Sequence, residues 1–260
     1  MKILIDKESG KKFLARENED FHTKYGMVSK EDYEKGVQEG FVETNMKRKF
    51  FVIDSTFIDL YRRIKRKAQL VPLEILGRVV VDTGIGKDSV IVDAGTGSGG
   101  GCCYFGHLCK EVHTFENNEE HLEISKDNAK FLGLNNIKFN KCDVVNDGFK
   151  EVDDNSLESS NLESNSTDLV FLDLLEPWKC LTESHRVLKR GGFLAVFNTQ
   201  ITQSVKLRNE FDLLNSDKDY FVDFKTIEII ERLWKIEGEK ARPRFSPIGH
   251  SGFLTIMRKV

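Results

Sequence analysis

Residues 90–101 read Val-Ile-Val-Asp-Ala-Gly-Thr-Gly-Ser-Gly-Gly-Gly, an apolar run that passes directly into a glycine-rich stretch. The run Val90–Asp93 is typical of a buried strand. Glycines at its end can adopt backbone conformations that other residues avoid, and they let a ligand approach the main chain closely. A helix is expected to follow, and its N-terminus would favour negative charge. The sequence therefore predicts a strand, a ligand-binding loop and a helix, in this order.

Strand-like runs recur on both sides of this stretch and alternate with segments of helix length. The predicted strands of this series are Val90–Asp93, Val112–Glu116, Ile137–Asn140, Leu169–Asp173 and Phe193–Phe197. Helices are predicted between them at Glu119–Leu132 and Trp178–Leu188. Such alternation predicts an α/β fold with a doubly wound, mainly parallel sheet. Two later runs, Lys225–Trp234 and Gly252–Arg258, are predicted to form a hairpin that closes the sheet edge.

Two regions differ from this pattern. The first 60 residues alternate short apolar runs with charges, which predicts a small β-rich N-terminal domain ahead of a Rossmann-like domain over 61–260. The basic, amphipathic stretch Ile58–Arg66 is predicted to be helical. The segment 151–168 is polar, acidic and without apolar periodicity, which predicts a mobile surface loop, with a regulatory or docking insert as the alternative.

The amino-acid composition limits the classes of protein to which the chain can belong. The 260 residues are 39% hydrophobic and 31% charged, as in ordinary globular proteins. The five cysteines are odd in number and contain no CxxC pair, so neither a disulfide framework nor a zinc site is expected. The N-terminus lacks a secretory apolar region, and no stretch approaches the roughly 20 apolar residues that span a bilayer. We therefore expect a cytoplasmic protein with no membrane segment and no bound metal.

The glycine stretch allows two interpretations. Gly95, Gly97 and Gly100 formally satisfy the GxGxxG dinucleotide fingerprint, which alone is a weak signal for NAD. The tighter spacing of Gly95, Gly97 and Gly99, with Asp93 two residues before the first glycine, instead resembles the loop of class I methyltransferases. That resemblance implies S-adenosylmethionine as cofactor. The cofactor-binding residues that it implies in the loop are Asp93, Gly95, Thr96, Gly97, Ser98 and Gly99.

Acidic residues follow the ends of successive predicted strands. Glu116 lies 21 residues after Gly95, where a carboxylate can accept hydrogen bonds from ribose hydroxyls. Asp143 and Asp173 follow the next two strands. Because the carboxyl ends of parallel strands meet at one edge, where ligands bind, all three are candidate cofactor-binding residues. His121 and Gln69 are further candidates for contact with the cofactor, and an ordinary surface position is the alternative for each.

Five segments in order resemble the tRNA (adenine-N1)-methyltransferase family, particularly its archaeal members. They are Asp20–Gly26, Arg66–Val71, Asp93–Gly99, Phe171–Pro177, and Ala241–Pro243 together with His250–Phe253. The chain departs from the family at two positions. Pro72 stands where the family has Tyr or His, and Leu175 stands where it usually has proline, so the loop after Asp173 is expected to be less rigid.

This resemblance implies an activity, a substrate and an assembly. The activity is methyl transfer from S-adenosylmethionine to N1 of adenine 58 in the tRNA T-loop, with adenine 57 as a second target in some archaeal relatives. Asp173 would be catalytic, by accepting a hydrogen bond from the adenine N6 amino group. Arg242 and Arg244, which flank Pro243 in a predicted loop, would contact tRNA together with His250, and the protein would be a homotetramer. Three alternatives stay open: a class I methyltransferase for a small, precorrin-like molecule or a protein, an NAD-dependent oxidoreductase, and a non-catalytic RNA-binding subunit.

The net charge of −3 argues against a nucleic-acid ligand until its distribution is considered. Residues 47–67 hold eight basic and two acidic residues, a net of +6, and residues 232–260 hold seven and two, a net of +5. Residues 143–168 hold eight acidic residues and one lysine, a net of −7. Basic stretches of this kind can bind phosphates. The acidic segment is then expected to point away from the tRNA.

Overall fold

A boundary after residue 64 separates two units, Met1–Ile64 and Lys65–Val260, in a computed structural model of the chain. The sequence prediction had this boundary after residue 60. The structure describes residues 1–15, 19–152, 159–244 and 249–260.

The N-terminal unit contains a four-stranded antiparallel sheet with strand order β2-β1-β6-β5. Its elements are β1 (Lys2–Asp6), β2 (Lys12–Ala15), β3 (Phe21–Thr23), β4 (Gly26–Val28), α1 (Lys30–Glu39), β5 (Phe41–Glu43), β6 (Lys49–Asp54) and α2 (Phe57–Tyr61). Phe50 is the centre of its core, where the Phe13 and Phe21 rings meet it edge-on with centroids 5.9 Å away. The fully buried Asp6 accepts two 2.7 Å bonds from the Arg48 guanidinium, which holds the pKa of this carboxyl well below its usual range.

The helix predicted over Ile58–Arg66 is wrong in its C-terminal half, because α2 ends at Tyr61. In a continuing α-helix the Arg63 N–H would bond to the Asp59 carbonyl. Here the Arg63 guanidinium donates to that carbonyl instead, and the Arg63 N–H bonds to the Leu60 carbonyl at 2.8 Å. The last residues therefore form tight turns rather than a further helical turn.

The C-terminal unit is built on a seven-stranded sheet with the order β14-β17-β13-β12-β7-β8-β9. Its helices are α3 (Leu73–Thr83), α4 (Gly100–Leu108), α5 (Glu119–Leu132), α6 (Val144–Asp147), α7 (Leu181–Val187) and α8 (Ile201–Leu214), and a 3-10 turn spans Pro177–Cys180. Its strands are β7 (Val90–Ala94), β8 (Glu111–Glu116), β9 (Ile137–Lys141), β10 (Lys150–Val152), β11 (Ser159–Asn161), β12 (Thr167–Leu172), β13 (Leu188–Asn198), β14 (Phe221–Glu228), β15 (Trp234–Glu237), β16 (Lys240–Pro243) and β17 (Phe253–Lys259).

The predicted doubly wound, mainly parallel sheet is confirmed. The neighbouring pairs from β13 through β12, β7 and β8 to β9 are all parallel, and β17 runs antiparallel to both β13 and β14. The strand order reverses between β7 and β12. In open α/β sheets a ligand binds at the carboxyl ends of the two strands that flank such a reversal. The fold therefore marks the ends of β7 and β12 as the place for a site.

The predicted elements form for local reasons. β7 is buried on both faces after its first residue, as expected for a continuous apolar run inside a parallel sheet. The predicted helix Glu119–Leu132 has the same bounds as α5. Asn118 caps its start by accepting from the N–H groups of Glu120 and His121, and Gly133 ends it in the left-handed conformation.

The closing strands differ in detail from the prediction. β14 and β17 do pair antiparallel at the sheet edge, as the sequence indicated. The predicted run Lys225–Trp234 overlaps β14 only in part, and Trp234 begins β15 instead. β15 and β16 form a separate two-stranded hairpin, which the sequence analysis did not predict.

The acidic segment 151–168 is not one irregular loop, which corrects the prediction. Strands β10 and β11 pair antiparallel, and Thr167 already belongs to β12. The reason is Leu162, which is buried in the core and donates its N–H to the Phe149 carbonyl at 2.8 Å. Residues 153–158, where mobility was also expected, lie outside the described residues.

Candidate active site at the carboxyl edge of the sheet

Three glycines with positive φ angles shape the loop after β7. Gly95, Gly97 and Gly99 have φ values of 85°, 53° and 84°, a region that costs residues with a β-carbon roughly 1–2 kcal/mol. A β-carbon on Gly95 would overlap with the carbonyl oxygen of Asp173. The loop backbone therefore lies directly against Asp173, the residue that follows β12.

Asp93 is buried within β7, and a chain of hydroxyl groups holds its carboxylate. Thr114 Oγ1 donates to Asp93 Oδ2 at 2.6 Å, and the Thr96 hydroxyl lies 2.6 Å from the same Thr114 oxygen. Because the Thr114 proton is directed to Asp93, Thr96 is the donor in the second bond. Burial raises the pKa of Asp93 to about 7 against the opposing Thr114 bond, and the negative charge of Glu116 acts in the same direction as burial.

Glu116 ends β8 and fixes two turns of the main chain with one carboxylate. Its Oε2 accepts the Gly97 N–H at 2.8 Å, and its Oε1 accepts the Asn118 N–H at 2.9 Å. Each carboxylate oxygen has a further lone pair that can accept from a ligand. The side chain is thus oriented before any ligand arrives.

Asp173 lies at the point where the strand order reverses. Its N–H donates to the Ala94 carbonyl at 2.9 Å, which joins the ends of β7 and β12. Burial raises the pKa of the Asp173 carboxyl to about 7, and repulsion by Asp93 and then Glu116 adds to this effect. A group with a pKa near 7 can both accept and release a proton at neutral pH.

These three carboxylates line one cavity of about 370 Å³, a size in the range of small-molecule sites. The other lining residues are Ala68, Gln69, Leu70, Val71, Gly95, Thr96, Gly97, Gly100, Gly101, Asn117, Asn118, His121, Phe171, Leu174 and Leu175. No lysine or arginine is among these lining residues of the described chain. The cavity therefore suits a ligand that carries positive charge and hydroxyl groups.

Two of the residues predicted to bind cofactor, Ser98 and Gly99, are absent from this lining. The Ser98 hydroxyl accepts the N–H groups of Lys67 and Ala68 at 2.9 and 2.8 Å. The Asn128 amide donates to the Ser98 carbonyl at 2.9 Å. Ser98 thus fixes the main chain just before Gln69 to the glycine loop. Gly99 permits close helix packing, since a β-carbon on it would lie 3.0 Å from the Ser125 β-carbon.

Gln69 and His121, the two further candidates for contact with the cofactor, both line the cavity. Gln69 is exposed and follows the main chain that Ser98 holds. His121 lies in the first turn of α5, where its N–H donates to the Asn118 side chain at 3.2 Å.

Asp143 lines an adjoining cavity of about 280 Å³. The two cavities share the lining residues Gly95, Glu116, Asn117, Leu174 and Leu175. The Asp143 carboxylate accepts from the Val145 N–H at 3.1 Å and from the Asn146 amide at 2.8 Å. Other lining residues include the apolar Phe115 and Val144. An apolar wall beside a carboxylate suits a flat ring that carries an amino group.

None of the residues predicted to contact tRNA is among the lining residues of either cavity. Arg242 was expected in a loop but belongs to β16, and Arg244 follows that strand and donates its N–H to the Leu233 carbonyl at 2.8 Å. Neither arginine lines the cavities. The loop prediction failed for Arg242 because β15 supplies a partner strand, in which Lys235 pairs with Arg242.

His250 acts as a clamp between two strands. Its Nδ1 lies 2.7 Å from the Glu228 carboxylate, and its Nε2 lies 2.8 Å from the Thr199 carbonyl. Both partners can only accept, so both ring nitrogens carry protons. These bonds, the one to Thr199 first, raise the pKa of His250. Thr199 directly follows β13, so the clamp lies at the same sheet edge as Asp173, but both ring nitrogens bind protein groups.

The sequence analysis missed Thr114, which holds the Asp93 carboxylate. A signal was available, because Thr114 lies in the middle of the predicted strand that follows the strand of Asp93, where a buried hydroxyl needs a polar partner. Within the described ranges, no group of three or more His, Cys, Asp or Glu side chains could hold a metal ion. None of the helices described is long and apolar enough to cross a membrane.

The fold and the site together define a class I S-adenosylmethionine-dependent methyltransferase fold. Solved structures with this fold include an O-methyltransferase from Thermotoga maritima (TM-score 0.82, 19% identity, 100% of this chain and 92% of that one). Another is the tRNA (m1A58) methyltransferase TrmI from Aquifex aeolicus (TM-score 0.78, 22% identity, 100% and 96%).

A family match makes the assignment narrower. The chain belongs to the family described as tRNA methyltransferase complex GCD14 subunit, whose model matches residues 62–244. Its sequence is 26% identical to the tRNA (adenine(57)-N(1)/adenine(58)-N(1))-methyltransferase TrmI of Methanocaldococcus jannaschii, over 99% of this chain and 94% of the relative. It is also 26% identical to the tRNA (adenine(58)-N(1))-methyltransferase TrmI of Thermus thermophilus, over 99% and 96%.

Proposed function

We propose that this chain is an enzyme that methylates N1 of an adenine in the T-loop of tRNA, at position 58, with S-adenosylmethionine as methyl donor. The observation that carries the proposal is the convergence of Asp93, Glu116 and Asp173 on one cavity, in a chain of a tRNA methyltransferase family. The names of the relatives support position 58, and that of the Methanocaldococcus relative supports position 57 as a second target to be tested.

The residues of the cavity fit the proposed cofactor. Bound S-adenosylmethionine would supply an electrophilic methyl group on a positively charged sulfonium. Glu116 would accept the ribose hydroxyls, and Asp143 would face the adenine of the cofactor on the adjoining apolar wall. The loop of Gly95 and Gly97 would admit the cofactor close to the main chain, because no β-carbon intervenes.

Asp173 has the chemistry to act on the target base. Adenine N1 is a weak neutral nucleophile, so the enzyme must hold it in line with the methyl group. Asp173 would accept a hydrogen bond from the N6 amino group. This bond would orient the ring and stabilise the positive charge that develops on the base as the methyl group passes from the sulfonium sulfur, left as a neutral thioether, to N1. The proton that N6 then loses can pass to the carboxylate, whose pKa is raised to about 7.

Surface residues outside the two cavities are proposed to contact the tRNA and other copies of the chain. Arg242 and Arg244 are proposed to contact phosphates, in a stretch of net positive charge. A homotetramer in the cytoplasm is the expected assembly and location. Light scattering of the purified protein and fractionation of cells would test these two points.

One assay separates the proposal from its alternatives. The protein is incubated with methyl-labelled S-adenosylmethionine and an unmodified tRNA transcript, and 1-methyladenosine is mapped by nuclease digestion and mass spectrometry. Label at position 58 is the expected result, and a transcript with guanosine in place of adenine 58 is the matched control. A protein that binds the cofactor but leaves the transcript unlabelled would overturn the assignment and favour a small-molecule or protein substrate. A protein that binds tRNA but no cofactor would be a non-catalytic subunit.

A further inference from the structure

The segment between Asp173 and Pro177 forms a wall of both cavities, yet its own main chain is sparsely held. Leu175 lines both cavities and is 82% exposed. The Asp173 N–H is fixed to the Ala94 carbonyl, and the Glu176 carbonyl accepts from Lys179. Between these two points, in the part of the chain that the structure describes, the backbone of residues 174–175 makes one hydrogen bond, and Gln203 provides it.

Gln203 reaches this segment from the first turn of α8. Its Nε2 donates to the Leu175 carbonyl at 3.1 Å. Its Oε1 accepts the Gln200 N–H at 3.1 Å. The two contacts fix the orientation of the amide, since a backbone N–H needs the oxygen and a carbonyl needs the NH₂ group. Gln203 thus joins the start of α8 to the wall of the cavities.

The start of α8, where Gln203 lies, is also connected to the end of β13. The Thr199 hydroxyl lies 3.4 Å from Gln203 Oε1, and the Thr199 carbonyl accepts from His250. A continuous series of hydrogen bonds therefore runs from the clamp residue His250 through Thr199 and Gln203 to Leu175. The start of α8 is thereby held to the sheet, so Gln203 donates from a fixed position.

We propose that Gln203 is a positioning residue of the reaction, which holds the Leu174–Leu175 segment so that Asp173 and the cavity wall keep the geometry needed for methyl transfer. Such a bond has a role here because no ring fixes the φ angle of Leu175, whereas the ring of a proline at this position would fix it. This inference rests on the proposed function for its catalytic consequence, but the anchoring of the segment can be tested without it.

The test variant is Gln203→Glu. Glutamate keeps an oxygen for the Gln200 N–H and is a favoured residue at this position of a helix start, so α8 should stay intact. It loses the donor to Leu175 and places a carboxylate against the carbonyl. Thr202→Ala is the matched control, because exposed Thr202 lies in the same turn. Among the described residues, its hydroxyl donates one hydrogen bond, to the Gln200 side chain at 3.4 Å.

Two measurements are made on the wild-type chain and both variants. Hydrogen exchange at the amides of Asp173 and Lys179, whose N–H groups are bonded at the two ends of the segment, should become faster in Gln203→Glu and stay unchanged in Thr202→Ala. The single-turnover methylation rate with saturating tRNA should fall about tenfold or more in Gln203→Glu, since small displacements of reacting groups cost that much. The dissociation constant for cofactor and the melting temperature should change little, which excludes a general loss of structure.

Each result decides the proposal. Unchanged exchange at Asp173 and Lys179 would show that Gln203 does not anchor the segment, and faster exchange with an unchanged rate would show that the anchor does not serve the reaction. A fall in rate that Thr202→Ala shares would assign the effect to the helix start and overturn the specific role. If the wild-type chain labels no tRNA, the proposed function fails and the catalytic role falls with it, while the exchange measurement still decides the anchoring.

Discussion

The main chain of Gly95 passes so close to that of Asp173 that no β-carbon fits between Gly95 and the Asp173 carbonyl oxygen. The first glycine of the loop after β7 therefore has two functions. It adopts a φ of 85°, and it lets the ends of β7 and β12 come together. The distance between the glycine loop and the candidate catalytic carboxylate is set by this contact.

We expect Gly95→Ala to destabilise the protein and to abolish cofactor binding. The positive φ alone costs about 1–2 kcal/mol, and the overlap with Asp173 adds to that cost because both partners are backbone. Gly84→Ala is the matched control, since Gly84 has a φ of 66° and nothing within 4 Å of the added carbon. Urea unfolding and calorimetric titration with cofactor measure both effects. Equal losses in the two variants would mean that backbone strain alone, without the contact, explains Gly95.

Replacing the Asp173 carboxylate should separate catalysis from binding. Asp173→Asn keeps the size of the side chain and one acceptor oxygen, but it removes the negative charge and the site for a proton. We expect the methylation rate to fall by roughly 10²–10³-fold, as for loss of a key electrostatic group. Cofactor affinity at pH 7 should fall by no more than about tenfold, because the Asp173 carboxyl of the free protein, with its pKa raised to about 7, is only partly ionised at that pH. Equal loss of rate and affinity would assign Asp173 a structural role.

The sequence predicted the sheet because its strands are long apolar runs separated by amphipathic helices with clear caps, such as Asn118 and Gly133 around α5. The prediction from the sequence failed where a single tertiary contact determined the local structure. The guanidinium of Arg63 ended α2 by binding the Asp59 carbonyl, and one buried leucine, Leu162, drew a polar segment onto the core. Neither contact has a periodic signature.

The candidate site was likewise predictable where it depends on the ends of strands, and not where it depends on contacts between distant residues. Asp93, Glu116 and Asp173 could be predicted to lie together because parallel strands end at one edge. The role of Ser98 could not, since it depends on Lys67 and Ala68, which lie about 30 positions away in the chain. His250 and Gln203 likewise have partners that only the folded chain brings near.

Cofactor binding should release protons near neutral pH. In the free protein the pKa values of Asp93 and Asp173 are raised to about 7, so a part of each carboxyl is protonated there. A cation in the cavity favours the ionised forms, so affinity for S-adenosylmethionine should rise as the pH rises from about 6 to about 8. S-adenosylhomocysteine lacks the sulfonium charge and should show a smaller rise.

Calorimetric titrations in buffers of different ionisation enthalpy measure this proton release directly. Asp173→Asn should release fewer protons than the wild-type chain, because one of the two carboxyls is gone. The contribution of these two carboxyls to the stability of the free protein should decrease as the pH rises from about 4 through 7, because each, with its raised pKa, keeps its proton to a higher pH in the folded state than in the unfolded state. The decrease is measured as the pH dependence of the difference in unfolding free energy between the wild-type chain and Asp173→Asn. Binding without proton release at pH 7 would contradict raised pKa values at this site.

Ser98 offers a test of positioning without direct ligand contact. In Ser98→Ala the N–H groups of Lys67 and Ala68 lose their acceptor, which should cost about 1–3 kcal/mol of unfolding free energy for buried or partly buried donors. Cofactor affinity should fall by roughly tenfold as Gln69 and its neighbours move. Ser98→Thr, which keeps the hydroxyl, should retain more affinity than Ser98→Ala. A larger loss in the threonine variant would indicate crowding and not hydrogen bonding.

The two possible roles of His250 predict opposite pH and salt behaviour. As a clamp, the imidazolium binds Glu228 and Thr199, and its raised pKa means that its stabilisation is complete below the ordinary value of 6.5 and is lost as the pH rises through the value in the folded state. His250→Gln should therefore lower the melting temperature at pH 6 and change it little at pH 9.

As a phosphate contact, His250 would instead change the salt dependence of tRNA binding, because each phosphate contact adds about one unit to the slope of log affinity against log salt. We expect the slope to be the same in wild type and His250→Gln, and to fall by about one unit in Arg244→Gln. A fall in slope for His250→Gln without any change in melting temperature at pH 6 would return His250 to the RNA-binding surface.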